Sequence, residues 1–170
     1  MPIVAVVSRY DEAIAWSRER CESVWGTVAL QSDLFDFTET DYYESSMGTA
    51  LKKSFFAFEQ LVDPAELPDL KRQSNEWEEQ YADASDHPEP RPLNLDPGYI
   101  NEGKLVLAST KDHVHRIYMR DGIYAEVTLH FRAGSWQSSP WTYPDYQRED
   151  FQAFFTQCRE RLKALRRAES

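Results

Sequence analysis

Residues Ser109–Phe131, STKDHVHRIYMRDGIYAEVTLHF, decide the fold class. Two runs of alternating character flank Asp121-Gly122, a dipeptide that favours the two-residue turn of a β-hairpin. Strands joined directly, with no helix between them, break the regular alternation that a doubly wound sheet requires. With the turn at 121–122, Arg120 opposes Ile123, Met119 opposes Tyr124, His115 opposes Thr128 and His113 opposes His130. His113, His115, Glu126, Thr128 and His130 then share one face. Arg116 falls on the other, otherwise apolar face, where a guanidinium needs a carboxylate or an anionic ligand to grip.

Outward from the hairpin, the chain reads as strand, helix, strand, strand, helix, strand, a meander and a last helix. PIVAVVS opens with a β-branched strand, Ile3–Ser8. Asp11–Val24 has helical period, with Ile14, Cys21 and Val24 on one stripe and Gly26 at the C-terminal stop. TVALQSDLFDF (27–37), DYYESSM (41–47) and LKKSFFAFEQLV (51–62) read as extended, with Phe56 and Phe58 on one face. Pro64 starts a helix whose Leu67, Leu70, Ser74, Trp77 and Tyr81 face inward, while Glu76, Glu78 and Glu79 stay wet. Phe151, Phe154, Phe155, Cys158, Leu162 and Leu165 line a C-terminal helix with a basic end.

The expected class is therefore α+β: a mainly antiparallel sheet with split βαβ (ferredoxin-like) elements, a β-meander or hairpin, and a C-terminal helix. The helices are expected on one sheet face. A length of 170 residues fits one domain spanning 1–170, with a proline-rich mobile loop at about 84–92.

The net charge of −10 disfavours broad binding to nucleic acid or to anionic lipid. It is unevenly spread. Residues 33–46 hold five acids and no base, whereas residues 104–132 carry a net +2. A locally positive region in an acidic chain suits a small anion. Two cysteines without metal spacing, no basic signal-like start and no membrane-length apolar run point to a cytoplasmic protein.

NLDPGY (94–99) reads as a β-turn at Pro97-Gly98, with Asn94 and Asp96 pointing the same way. Asp96 is the natural partner of Arg116 or Lys111, or a general base. WTYPDY (141–146) gathers three aromatics and Asp145 around a Tyr-Pro bond that is a candidate for the cis form. Tyr143 offers a wall for a ring-bearing ligand, and Asp145 either joins the site or caps the last helix. GTALKKS (48–54) lacks the spacing of a phosphate loop, and no catalytic elbow or zinc-helix motif occurs.

The resulting expectation is an enzyme or sensor for a small anionic, phosphorylated or nucleotide-like ligand. Asp96, His113 and His115 are the candidate catalytic residues; Asn94, Lys111, Arg116, Glu126, Thr128, Tyr143 and Asp145 are the candidate ligand contacts. No motif names a cofactor. Two of His113, His115 and His130, with Glu126, offer a metal-ligand set, but His130 lies near a strand end and no carboxylate is set to orient the imidazoles. No tightly held metal is therefore assigned, and only weak binding at His113–His115 is expected. The competing class is a non-enzymatic module presenting the acidic segment 33–46 and the WTYPDY loop to a protein partner.

NLDPGYI, KLVLASTKDHVHRIY, DGIYAEVTL and WTYPDY, with TDYYESSMG upstream, resemble the signature of a bacterial family of small proteins described as a domain of unknown function. The resemblance spans nearly the whole chain and implies a single domain. It also implies that Tyr42, Tyr43, Met47 and Gly48 belong with the later motifs. It carries no catalytic assignment to any residue.

Overall fold

A computed structural model describes residues 1–168. Among the described residues, nine strands form one sheet: β1 (Pro2–Ser8), β2 (Val28–Gln31), β3 (Phe35–Asp36), β4 (Lys52–Phe58), β5 (Asn94–Ile100), β6 (Lys104–Ser109), β7 (Ile117–Arg120), β8 (Ile123–Arg132) and β9 (Ser135–Ser138). Four α-helices accompany it: α1 (Asp11–Trp25), α2 (Glu44–Met47), α3 (Leu67–Ala84) and α4 (Glu149–Ala168). The strand order is β2-β4-β1-β5-β6-β8-β7, with β3 on β4 and β9 on β8, and every pair is antiparallel.

β1 and β2 both run antiparallel to β4 between them, so β1-α1-β2 is a split βαβ unit. The same logic makes β4-α3-β5 a second unit, split by β1. The class expected from the sequence is present, extended by β6–β9. β1 is central and buried along its whole length, which explains its unbroken apolar run.

Helices pack on both faces, not on one. Val4, Val6, Phe56, Phe58, Leu93 and Leu95 meet Ile14, Cys21, Trp25, Leu70, Trp77 and Tyr81 of α1 and α3. Ile3, Ala5, Phe55, Ile100 and Leu105 meet Phe151, Phe154, Phe155 and Cys158 of α4 on the opposite face. The alternation in KKSFFAF feeds both layers, because successive strand residues point to opposite sides. Cys21 and Cys158 are free, and burial pushes both thiols up to about 12, so they serve as core apolar groups.

Several local expectations are corrected. Residues 41–47 carry the short helix α2, not a strand, and 27–37 is broken into β2 and β3. Val24 is half exposed and Trp25 takes its inward place. Glu78 is buried, because its carboxylate accepts from Leu95 N at 2.7 Å and from Arg91. Apart from these corrections, Glu89 in the proline-rich segment accepts from Arg9 at 2.7 Å and from the Tyr10 hydroxyl at 2.6 Å. No helix among the described residues is long and apolar enough to cross a membrane.

Pro97 and Gly98 lie inside β5, not in a turn, and Gly98 is needed for close approach. A Cβ there would lie 2.2 Å from the Val106 carbonyl oxygen. The β5–β6 ladder runs only from Gly98–Leu107 to Ile100–Leu105. Proline offers no N–H to a ladder, and pairing ends beside it. Beyond that point β6 follows β8 and β5 follows β1. The parting strands open one end of the sheet.

The hairpin turn forms as expected, with Asp121 at φ 55° and Gly122 at φ 74°, both in the left-handed region a tight turn of this kind needs. A register shift between Tyr118 and Arg120 then sets Tyr118, not Met119, against Tyr124. β7 stops at Ile117, and the chain turns at 113–116, where Arg116 N donates to His113 O at 2.9 Å. The outer half of β8 pairs instead with β9, and His130 opposes Lys104 and Gln137. The His113–His130 and His115–Thr128 pairs therefore do not exist.

Candidate functional site

α4 covers the part of its sheet face built from Ile3, Ala5 and Phe55. Near the parting of β5 and β6 the sheet instead borders a cavity of about 500 Å³, a volume typical of small-molecule sites. The cavity is lined by Lys53 of β4, Lys71 of α3, Asn94 and Asp96 of β5, and Ser109, Lys111, His113, Arg116 and Glu126 around the hairpin. Phe37, Tyr42 and Tyr43, with Tyr143–Tyr146, complete the wall.

Its charges come in fixed pairs. Lys53 Nζ donates to Asp145 Oδ2 at 2.6 Å, with both side chains about 5% exposed. Lys71 Nζ donates to Leu95 O at 2.9 Å and to Asp96 Oδ1 at 3.2 Å. Asn94 Nδ2 donates to Asp96 Oδ2 at 2.8 Å, while Asn94 Oδ1 accepts from Arg91. Arg116 Nε and His115 Nε2 meet Glu126 Oε2 at 2.8 and 2.9 Å. Arg116 Nη1 donates to Ser109 Oγ at 2.8 Å and to Lys111 O at 3.1 Å. Lys111 alone among these cations pairs with no carboxylate of the described residues; it bonds the Tyr42 hydroxyl and holds that phenol below its usual range.

Burial would raise the Asp96 carboxyl, but Lys71, Asn94 and Lys53 outweigh it and hold the group below its ordinary 3.8. Asp96 thus stays ionised at neutral pH and serves as an acceptor. A depressed folded-state pKa contributes stability that is present above the unfolded value and lost as pH falls through the folded one. Wild-type protein is therefore expected to lose stability more steeply than Asp96→Asn between about pH 5 and pH 3. Urea unfolding at a series of pH values checks this, and parallel curves for the two proteins would refute it.

The expected site residues fall in two shells of one region. Asn94, Asp96, Lys111, His113, Arg116, Glu126, Tyr143 and Asp145 line the cavity. His115 lies behind it, bound to Glu126 and stacked on Trp141 at 5.1 Å. Thr128 is fully buried and touches Glu126 only at 3.5 Å, while its carbonyl accepts from Thr142. Asp145 does not cap α4, since it is committed to Lys53. No peptide bond among the described residues is cis, so Tyr143–Pro144 is trans.

Sequence reasoning missed Lys53, Lys71 and Arg91. Lys53 could have been found by parity, since it shares a strand face with Phe55 and Ala57. Lys71 follows Leu67 by four and precedes Ser74 by three, which puts it on the inward stripe of α3.

Residues 1–162 match the family described as "Domain of unknown function (DUF4416)". The chain belongs to that family. The matched span holds every residue lining the DUF4416 cavity, so the site lies wholly within the family domain. Comparison with curated proteins and with solved structures gives no significant match.

Proposed function

We propose that the protein binds a small anionic ligand, phosphorylated or nucleotide-like, in this cavity, as an enzyme or as a sensor. One observation carries the reading. The Arg116 side chain is 5% exposed and held through Nε and Nη1, while its Nη2 makes no hydrogen bond among the described residues. A guanidinium fixed in this way presents its remaining donors to a ligand without further ordering cost. Lys111, with no carboxylate of its own, supplies the net positive charge beside it. An acidic protein with a cationic cavity mouth also concentrates anions locally. His113 lines the same mouth and is the side chain suited to moving a proton if catalysis occurs.

Exposed Tyr42, Trp141 and Tyr143 favour a protein-docking surface as the second reading. Against it, Glu39 of the acidic segment is committed to Arg148 at 2.7 Å, and Asp145 and Tyr146 are buried. Two unpaired, buried cysteines support a cytoplasmic setting.

The test is calorimetric titration with inorganic phosphate, pyrophosphate, AMP and ribose 5-phosphate. At least one is expected to bind, and Lys111→Ala, an exposed substitution, is expected to weaken it about tenfold, the loss of one charge-assisted bond. Absence of binding by every anion would sink the proposal.

A further inference from the structure

The floor of the cavity differs from its mouth, and the difference bears on what the anion is attached to. Lys53 is 4% exposed, and its ammonium has three donors but, among the described residues, a single acceptor, Asp145 Oδ2 at 2.6 Å. Tyr146 is 3% exposed, and its hydroxyl is buried without a hydrogen-bond partner among the described residues. Burial first, then the carboxylates of Asp145, Asp96 and Glu126, push that phenol well above its usual range. Unpartnered buried donors cost stability unless something in the cavity meets them. Asp145 Oδ1 likewise makes no hydrogen bond among the described residues, so the floor offers an acceptor next to these donors.

We propose that the ligand is a phosphate ester of a polyhydroxylated compound, a sugar phosphate. Its hydroxyl-bearing end lies on Lys53, Tyr146 and Asp145, and its phosphate on Arg116 and Lys111. The inference rests on the anion site proposed above and adds the chemical class of the buried end. A hydroxyl both accepts and donates, so it can accept a hydrogen bond from Lys53 or Tyr146 while donating one to Asp145.

Three alternatives fit the floor less well. A second phosphate would meet floor cations whose charge Asp145 and Asp96 already balance, so it would find no net positive charge there. A purely apolar group would leave the Lys53 and Tyr146 donors unmet. A flat base would need a free ring face, but the Lys53 ammonium already lies 4.4 Å from the Tyr146 ring centroid and 5.0 Å from that of Phe37. Because Lys53–Asp145 and Lys71–Asp96 are each neutral pairs, a neutral polyol also enters without stranding a charge.

The deciding experiment titrates wild type, Tyr146→Phe and Lys111→Ala with inorganic phosphate, ribose 5-phosphate, glucose 6-phosphate and AMP. Tyr146→Phe removes one unpartnered hydroxyl and keeps the ring, so the fold is expected to persist. In wild type, at least one sugar phosphate is expected to bind tenfold or more tighter than inorganic phosphate. Tyr146→Phe should weaken that sugar phosphate about tenfold and leave inorganic phosphate unchanged, whereas Lys111→Ala should weaken both. If sugar phosphates bind no better than inorganic phosphate, or Tyr146→Phe does not alter them, the polyol floor is wrong while the anion site stands. A nucleotide that binds tighter than ribose 5-phosphate overturns it too, since the base would then supply the affinity. If no phosphorylated compound binds, the anion site itself fails.

Discussion

Asp145→Ala is expected to lower folding stability by about 3–5 kcal/mol, because it strands the Lys53 ammonium in the protein interior. The pair is 2.6 Å apart and both side chains are about 5% exposed, so water does not readily replace the lost carboxylate. Four ring centroids, those of Phe37, Phe55, Tyr146 and Phe151, lie 4.4 to 5.8 Å from Lys53 Nζ. A desolvated cation–ring contact is worth about 2 kcal/mol, which offsets part of the loss and favours the lower half of the range. Lys53→Met in the same background removes the stranded charge and is expected to restore most of the stability. Urea unfolding of the single and double variants reads this directly. A loss under about 1 kcal/mol in Asp145→Ala would mean that cavity water solvates Lys53 and that the pair is worth no more than a surface one.

That pair also shows why part of the site was illegible in the sequence. Local chemistry was readable wherever a residue type dictated its own geometry. Asp121-Gly122 formed its turn, Gly26 ended α1, and the two apolar stripes of α3 and α4 faced inward. A guanidinium on an apolar strand was correctly expected to need a carboxylate, and Arg116 found Glu126. Long-range placement was not readable. One register shift at Met119 and an early end to β7 released 113–116 from the strand. Arg116 and His115 therefore stopped alternating between faces, and both reached the same oxygen of Glu126. Because strand faces alternate every residue, a single bulge moves every side chain beyond it.

Pro97-Gly98 failed for a related reason. The dipeptide signals a turn in isolation, yet here glycine permits a backbone approach at 2.2 Å from a would-be Cβ and proline marks the end of a ladder. Which of these roles applies depends on neighbouring strands that are distant in sequence. Lysines are usually solvated, so only parity with core neighbours marks Lys53 and Lys71 as buried.

Glu126→Ala should have an effect comparable to that of Asp145→Ala, about 3–5 kcal/mol, because Arg116 cannot lose its proton and cannot easily leave the interior. Glu126 is 4% exposed as a side chain and Arg116 5%, whereas His115, its other partner, is 15% exposed. His115→Ala removes a group that does not strand the guanidinium, and about 1 kcal/mol is expected for the lost hydrogen bond. The internal control is Arg120–Asp69, an ion pair of similar length whose side chains are 45% and 44% exposed. Solvent screening makes Asp69→Ala the much milder change. Burial, not distance, is therefore predicted to separate the two pairs in urea unfolding. Arg116→Met combined with Glu126→Ala should recover stability while abolishing anion binding, since it removes the fixed donor that the ligand needs. If Glu126→Ala costs no more than Asp69→Ala, Arg116 is solvated through the cavity. Its Nη2 would then be satisfied by water, and the main support for the anion site would be lost.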